Sequence, residues 1–200
     1  MKISPQDKKD LLIEALSYIQ RFRNQIIVIK YGGAAMIEEA LKTSFAQDIV
    51  LLQSLGMRPV VVHGGGPEVS KVIQSLGQEV TFVDGLRVTT AENLKVAEMV
   101  LSGNLNKEII AHLQTFGGKA VGLSGKDGNL IQADKKKHAS GIDLGYVGTI
   151  RQINPELLHL LIREQFIPVV SPIGMGSSGE TYNINADTVA AAIAVALEAR

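Results

Sequence analysis

Two hundred residues allow one fairly large domain or two small ones, and the absence of cysteine excludes a disulfide scaffold, a thiolate metal site and a cysteine nucleophile. Hydrophobic residues at 46% and charged residues at 20% suit a globular fold with a sizeable core, while 20 basic and 20 acidic residues cancel. That balance offers no global field to nucleic acid or an anionic membrane, and an aromatic content of 4% without Trp excludes a base-stacking platform, so any anion site must be local.

The polar start, Met1–Asp10, contains no apolar signal core, and no apolar run approaches the roughly 18 residues of a membrane span, so the cytoplasm is the expected compartment. A first helix is predicted from Pro5 to about Phe22, with Ser4 as N-cap and a stripe of Leu12, Leu16, Ile19 and Phe22. Residues 1–24 are therefore read as an N-terminal helix and residues 25–200 as the main domain. Ile26–Lys30 reads as a buried strand, followed by the loop Tyr31–Ala35. A helix over Glu38–Leu55 stops at Gly56. Pro59–His63 is a second buried strand that opens into Gly64-Gly65-Gly66-Pro67, and a helix then runs to Leu76 and stops at Gly77. Helices are predicted over Ala91–Leu101 and Asn104–Phe116, with a short strand at Ala120–Leu123. Asn129–Gln152 reads as one or two hairpins projecting from the sheet. A helix led by Asn154-Pro155 runs to Glu164, a strand covers Phe166–Val170, and Gly174–Gly179 reads as a mobile loop. Asn185 caps a final helix of small apolar residues, Ala190 to Ala199. Buried strands separated by helices predict an α/β fold: a three-layer αβα sandwich around a mainly parallel sheet.

Two strand-to-helix junctions carry glycine runs, Lys30–Gly33 and His63–Pro67. In a parallel sheet these lie at the carboxyl ends of strands, where ligands bind. Glycines let the backbone approach a ligand with its amides, and a helix N-terminus adds positive potential, so a carboxylate or phosphoryl group fits there. Neither run is a P-loop or a dinucleotide fingerprint, and each by itself reads equally well as a tight turn. Lys30 is either a solvated strand end or a buried cation facing a transferring phosphoryl group. Arg87 is either a surface ion pair or a fork for a carboxylate. Asn183 and Asp187 sit in a segment with more Asx residues than a helix cap needs. His63 reads as a base or, more commonly, as a support for the turn. The four histidines have no metal-ligand spacing and no nucleophile elbow occurs; no metal site is expected in the chain itself.

Five motifs in register, Lys30-Tyr31-Gly32-Gly33-Ala34-Ala35-Met36, His63–Pro67, Gly85-Leu86-Arg87-Val88-Thr89, Gly122–Gly128 and Tyr182–Asp187, resemble the acetylglutamate kinases of the amino-acid kinase superfamily. The likeness extends over essentially the whole chain. It implies the amino-acid kinase fold and phosphoryl transfer from ATP, with Mg²⁺ bound through its phosphates, to the γ-carboxylate of N-acetyl-L-glutamate in arginine biosynthesis. Carried over by motif, Gly65 and Gly66 would bind the acid through amides, Arg87 would hold its α-carboxylate and Asn183 its acetamido end. Lys30 would stabilise the transferring phosphoryl group, Asp187 would orient the lysines around it, and Gly32 and Gly33 would lie against the phosphates. Independently, a carboxylate nucleophile is already ionised at neutral pH and needs cations and oriented amides rather than a general base, which matches the residues present.

The resemblance also implies a second half with most of the nucleotide site and a second catalytic lysine. The expectation is thus that residues 25–200 are the substrate-binding lobe and that 200 residues alone turn over little. The segment Tyr18–Phe22 resembles the extra helix of arginine-inhibited hexameric members, so dimers would pair through it; the other reading packs the helix on its own domain. A kinase-like sensor lobe, as in acetylglutamate synthases, and a kinase of another small acid are the competing readings.

Overall fold

A computed structural model describes residues 4–200; residues 1–3, at the start of the predicted N-terminal segment, lie outside the described residues. The chain opens with helix α1 (Pro5–Phe22), where the Ser4 hydroxyl accepts from the Asp7 amide and the Asp7 carboxylate accepts from the Ser4 amide, satisfying two otherwise orphaned donors. No residue of α1 is buried, and Leu12 and Leu16 stand 65% and 51% exposed. The N-terminal half of the apolar stripe is therefore uncovered, while Ile19 and Phe22 are half-buried.

Strand β1 (Ile26–Tyr31), a 3₁₀ turn (Gly33–Met36), helix α2 (Glu39–Ser54), strand β2 (Arg58–His63) and helix α3 (Gly66–Ser75) follow. Gly56 and Gly77 take the left-handed conformation just past α2 and α3, as their helix-stop positions require. A small hairpin, β3 (Phe82–Val83) and β4 (Leu86–Arg87), turns through Asp84-Gly85, both with positive φ. Helix α4 (Ala91–Glu98) continues through a π-helical segment, Met99–Leu105, into α5 (Asn106–Thr115). The two helices expected over 91–101 and 104–116 are thus one continuous helical run: burial of Val100, Leu101 and Leu105 overrides the helix-breaking tendency of Gly103. Next come β5 (Ala120–Ser124), the hairpin β6 (Ile131–Lys135) and β7 (Gly148–Ile153), helix α6 (Glu156–Arg163), and strands β8 (Ile167–Ser171), β9 (Ile173–Met175) and β10 (Thr181–Asn183). Helix α7 (Ala186–Ala196) ends the series and starts directly after its Asn185 cap, as the sequence predicts, stopping short of the expected Ala199.

The main sheet has the order β1-β2-β8-β5 and is parallel throughout. Along β2 the side chains alternate between faces, Val61 meeting α2 and α5 while Val60 and Val62 meet α6 and α7. Helices on both faces make the three layers that the sequence predicts. β1 is an edge strand with one neighbour, so its residues up to Ile29 are only part-buried and Lys30 is exposed, which corrects the expectation of a fully buried strand. The hairpin expected over 129–152 is present, β6 pairing antiparallel with β7, but it does not project. β6 and β7 join β9 and β10 in a second four-stranded sheet, and Ile131 and Ala133 enter the core beside α7. The first residues of the expected loop at 174–179 belong to β9, and the rest turns tightly into β10 with the Gly176 amide donating to the Glu180 carbonyl at 2.8 Å.

Candidate active site

Both glycine runs stand at the carboxyl ends of neighbouring parallel strands, with Lys30 in register with Val62 and Tyr31 with His63. They open on a cleft of about 250 Å³. Lys30, Gly32, Gly33, Gly65, Gly66, Arg87, Asn183 and Asp187 all line it, so every candidate site residue meets in one place.

At one end, Lys30 Nζ lies 3.2 Å from Asp187 Oδ1, in the first turn of α7. The lysine folds across Gly32, where a Cβ would stand 2.9 Å from Nζ. Its side chain is 36% exposed, so Lys30 is not the buried cation expected, because β1 is the sheet edge. A pair this open to water contributes little stability; its effect is to hold the ammonium at the cleft wall.

At the other end, Arg87 is 7% exposed. One of its nitrogens, Nη2, donates to the Gly66 carbonyl at 2.7 Å and to Ser70 Oγ at 2.8 Å. The guanidinium carbon sits 4.8 Å from the ring centre of Phe82, its cross-strand partner in the β3–β4 hairpin. The second nitrogen, Nη1, is buried and has no hydrogen-bond partner among the described residues. Desolvation pulls the guanidinium pKa below its ordinary value. The surface ion-pair reading of Arg87 therefore fails: the group is buried and faces no carboxylate partner among the described residues. A buried cation with one nitrogen lacking an acceptor is the kind of group that an anion satisfies.

Between the two cations the lining is backbone. Gly65 has φ 147°, and a Cβ there would run into Leu105 and stand 2.9 Å from Leu101, both from the π segment. Only glycine meets both demands. Helices α3 and α7 begin at the cleft, at Gly66 and Ala186, so the free amides and positive ends of two helices face the same space. Asn183 closes β10, and its Nδ2 donates to Thr89 Oγ1 at 3.4 Å; that hydroxyl donates to the Arg87 carbonyl at 2.9 Å. Asn185 is the cap, accepting from the Thr188 amide at 3.0 Å, which leaves Asn183 and Asp187 free of that duty.

His63 is fully buried behind the second glycine run. Desolvation pushes its pKa down to about 4, so it is neutral at ordinary pH and supports the turn rather than serving as a base in the cleft. Among the described residues no group of three or more His, Asp or Glu is placed to hold a metal, and no helix is long and apolar enough to cross a membrane.

Ser70, Phe82, Thr89 and Asn106 were not singled out from the sequence. The Asp84-Gly85 hairpin signal was available for Phe82, since it pairs Phe82 with Arg87. Nothing local marks the other three.

A parallel sheet whose carboxyl edge holds two cations, two glycine runs and two helix starts defines an α/β domain with an anion-binding cleft. Residues 25–200 match the model described as "Amino acid kinase family". The chain belongs to that family, on its acetylglutamate kinase branch. It is 55% identical to the acetylglutamate kinase of Desulforamulus reducens over 98% of this chain and 68% of that one. It is 50% identical to that of Moorella thermoacetica over 100% and 70%. Among solved structures it resembles N-acetylglutamate synthase from Neisseria gonorrhoeae complexed with coenzyme A and N-acetyl-glutamate, with a TM-score of 0.82 and 28% identity over 94% of this chain and 43% of that one.

Proposed function

We propose that residues 25–200 form the acid-binding lobe of a kinase that phosphorylates the γ-carboxylate of N-acetyl-L-glutamate, in arginine biosynthesis and in the cytoplasm. The observation that carries this reading is the buried Arg87 with its unpaired Nη1, in the same cleft as the Lys30–Asp187 pair. Arg87 binds the α-carboxylate. Asn183 meets the acetamido end, and the amides of Gly65 and Gly66 hold the side-chain carboxylate. ATP, with Mg²⁺ on its phosphates, supplies the phosphoryl group and part of the charge neutralisation. The missing Cβ at Gly32 lets the Lys30 ammonium fold across the loop, so that a phosphate in the cleft meets that cation beside the backbone of Gly32 and Gly33.

Two anions must be brought into line, and repulsion between them is the barrier to be lowered. Lys30, the helix ends and the amides do so without a base. A γ-carboxylate oxygen bonds to the γ-phosphorus as the bond from phosphorus to the bridging oxygen breaks. No proton moves, and an acyl phosphate forms. Asp187 keeps the Lys30 ammonium aimed.

The decisive experiment traps acyl phosphate with hydroxylamine in the presence of ATP, on a panel of N-acetylglutamate, glutamate and aspartate. Hydroxamate from N-acetylglutamate alone supports the reading, whereas preference for a free amino acid defeats it. A sensor lobe, favoured by the likeness to the synthase, predicts binding of the acid with no hydroxamate; retention of both Lys30 and Asp187 weighs for the enzyme. The exposed stripe of α1 is the contact through which dimers associate into larger homo-oligomers.

A further inference from the structure

The last residues of β1 and β2, Tyr31 and His63, are register partners, and each carries a ring with a polar atom that reaches a backbone carbonyl. Tyr31 Oη donates to the Ala35 carbonyl at 2.8 Å, and His63 Nδ1 lies 2.8 Å from the Gly64 carbonyl. Both side chains are buried, at 5% and 0% exposure. In each case a strand end reaches forward to pin a carbonyl of the loop that follows it.

A carbonyl oxygen only accepts, so the imidazole proton is on Nδ1, and Nε2 is left to accept from Asn106 Nδ2 at 3.2 Å. The same Asn106 amide donates to the Val169 carbonyl at 2.9 Å, which fixes it to the central strand β8. A Cβ at Gly122 would collide with Asn106 Oδ1, so Gly122 makes room for this amide. The planar trans peptide then transmits the restraint: with the Gly64 oxygen held behind the loop, the Gly65 N–H on the same peptide is turned the opposite way. On the other strand, the Tyr31 ring stacks on Phe45 with centroids 3.8 Å apart and an interplanar angle of 12°. Its hydroxyl ties the turn Gly33–Met36 back to β1.

We propose that His63 and Tyr31 are positioning residues, His63 for the amides that hold the acceptor acid and Tyr31 for the loop that meets the phosphoryl group. The assignment of the two sides rests on the proposed function; the pinning of the two loops does not.

The test uses the full-length natural protein with three substitutions. His63→Asn puts an amide nitrogen near the position of Nδ1 and keeps the donor; His63→Gln puts it near Nε2 and loses the donor. Tyr31→Phe keeps the ring and loses the hydroxyl. His63→Gln is expected to raise KM for acetylglutamate about tenfold with KM for ATP within about twofold, His63→Asn to stay near the parent, and Tyr31→Phe to raise KM for ATP about fivefold. Hydrogen exchange without substrate is the second readout: Tyr31→Phe accelerates peptides covering 32–38 only, and His63→Gln those covering 64–68 only. Equal losses in His63→Asn and His63→Gln, or faster exchange in both loops for either variant, would overturn the proposal. A parent protein that makes no acyl phosphate would sink the functional reading while leaving the exchange readout to decide the pinning.

Discussion

Gly65 shows how far single residues govern this cleft. Its φ of 147° is a conformation that side chains rarely adopt, and a methyl group would collide with Leu105. Gly65→Ala is expected to weaken acetylglutamate binding by at least tenfold and to lower thermal stability, measured by calorimetric titration and melting. Lys30 has the opposite profile. It packs little, being 36% exposed, so Lys30→Met should leave the melting temperature and the acid KM nearly unchanged while kcat drops roughly 10²–10³-fold, the typical loss for one charge-stabilising group. His63 carries a pH signature. Its folded pKa of about 4 lies below the ordinary 6.5, so the unfolded chain binds the extra proton first. Stability is full above pH 6.5 and is lost as pH falls toward 4, by about 3 kcal/mol. Urea unfolding across that range should show the slope in the parent and a flatter one in His63→Asn.

Helix α1 and the π segment are the elements with consequences of their own. Because no residue of α1 is buried, deleting residues 1–22 should leave the melting transition of the remaining domain in place, while sedimentation should show a smaller assembly. An unchanged assembly would remove α1 from the interface. The π segment was not legible in the sequence: Gly103 and Asn104 look like a break, and only the burial of Val100, Leu101 and Leu105 against α3 keeps the run helical. The second sheet was equally hidden. β9 and β10 are three residues each, and β6 meets β9 through a single register pair some 40 positions away, as Gln132 and Met175 are numbered. Strands that short leave no periodic signal. The four main strands, by contrast, announced themselves as short apolar runs, three of them next to Gly, since strands covered by helices read as continuous hydrophobicity.

At the scale of the molecule, the candidate site was legible because its chemistry is concentrated at strand ends, where Gly and charged residues stand out against apolar runs. What escaped was the support behind it. Ser70, Thr89 and Asn106 are ordinary polar residues whose roles depend on partners 17, 94 and 63 positions distant. A cleft assembled from positions 30, 65, 87, 183 and 187 exists only when β1, β2, the β3–β4 hairpin, β10 and α7 are all in place. Whatever occupies it therefore laces together stretches that span most of the chain. Saturating acetylglutamate should raise the free energy of global unfolding in one cooperative step, by about 2.7 kcal/mol at a hundredfold excess over its dissociation constant, rather than merely quieting a loop.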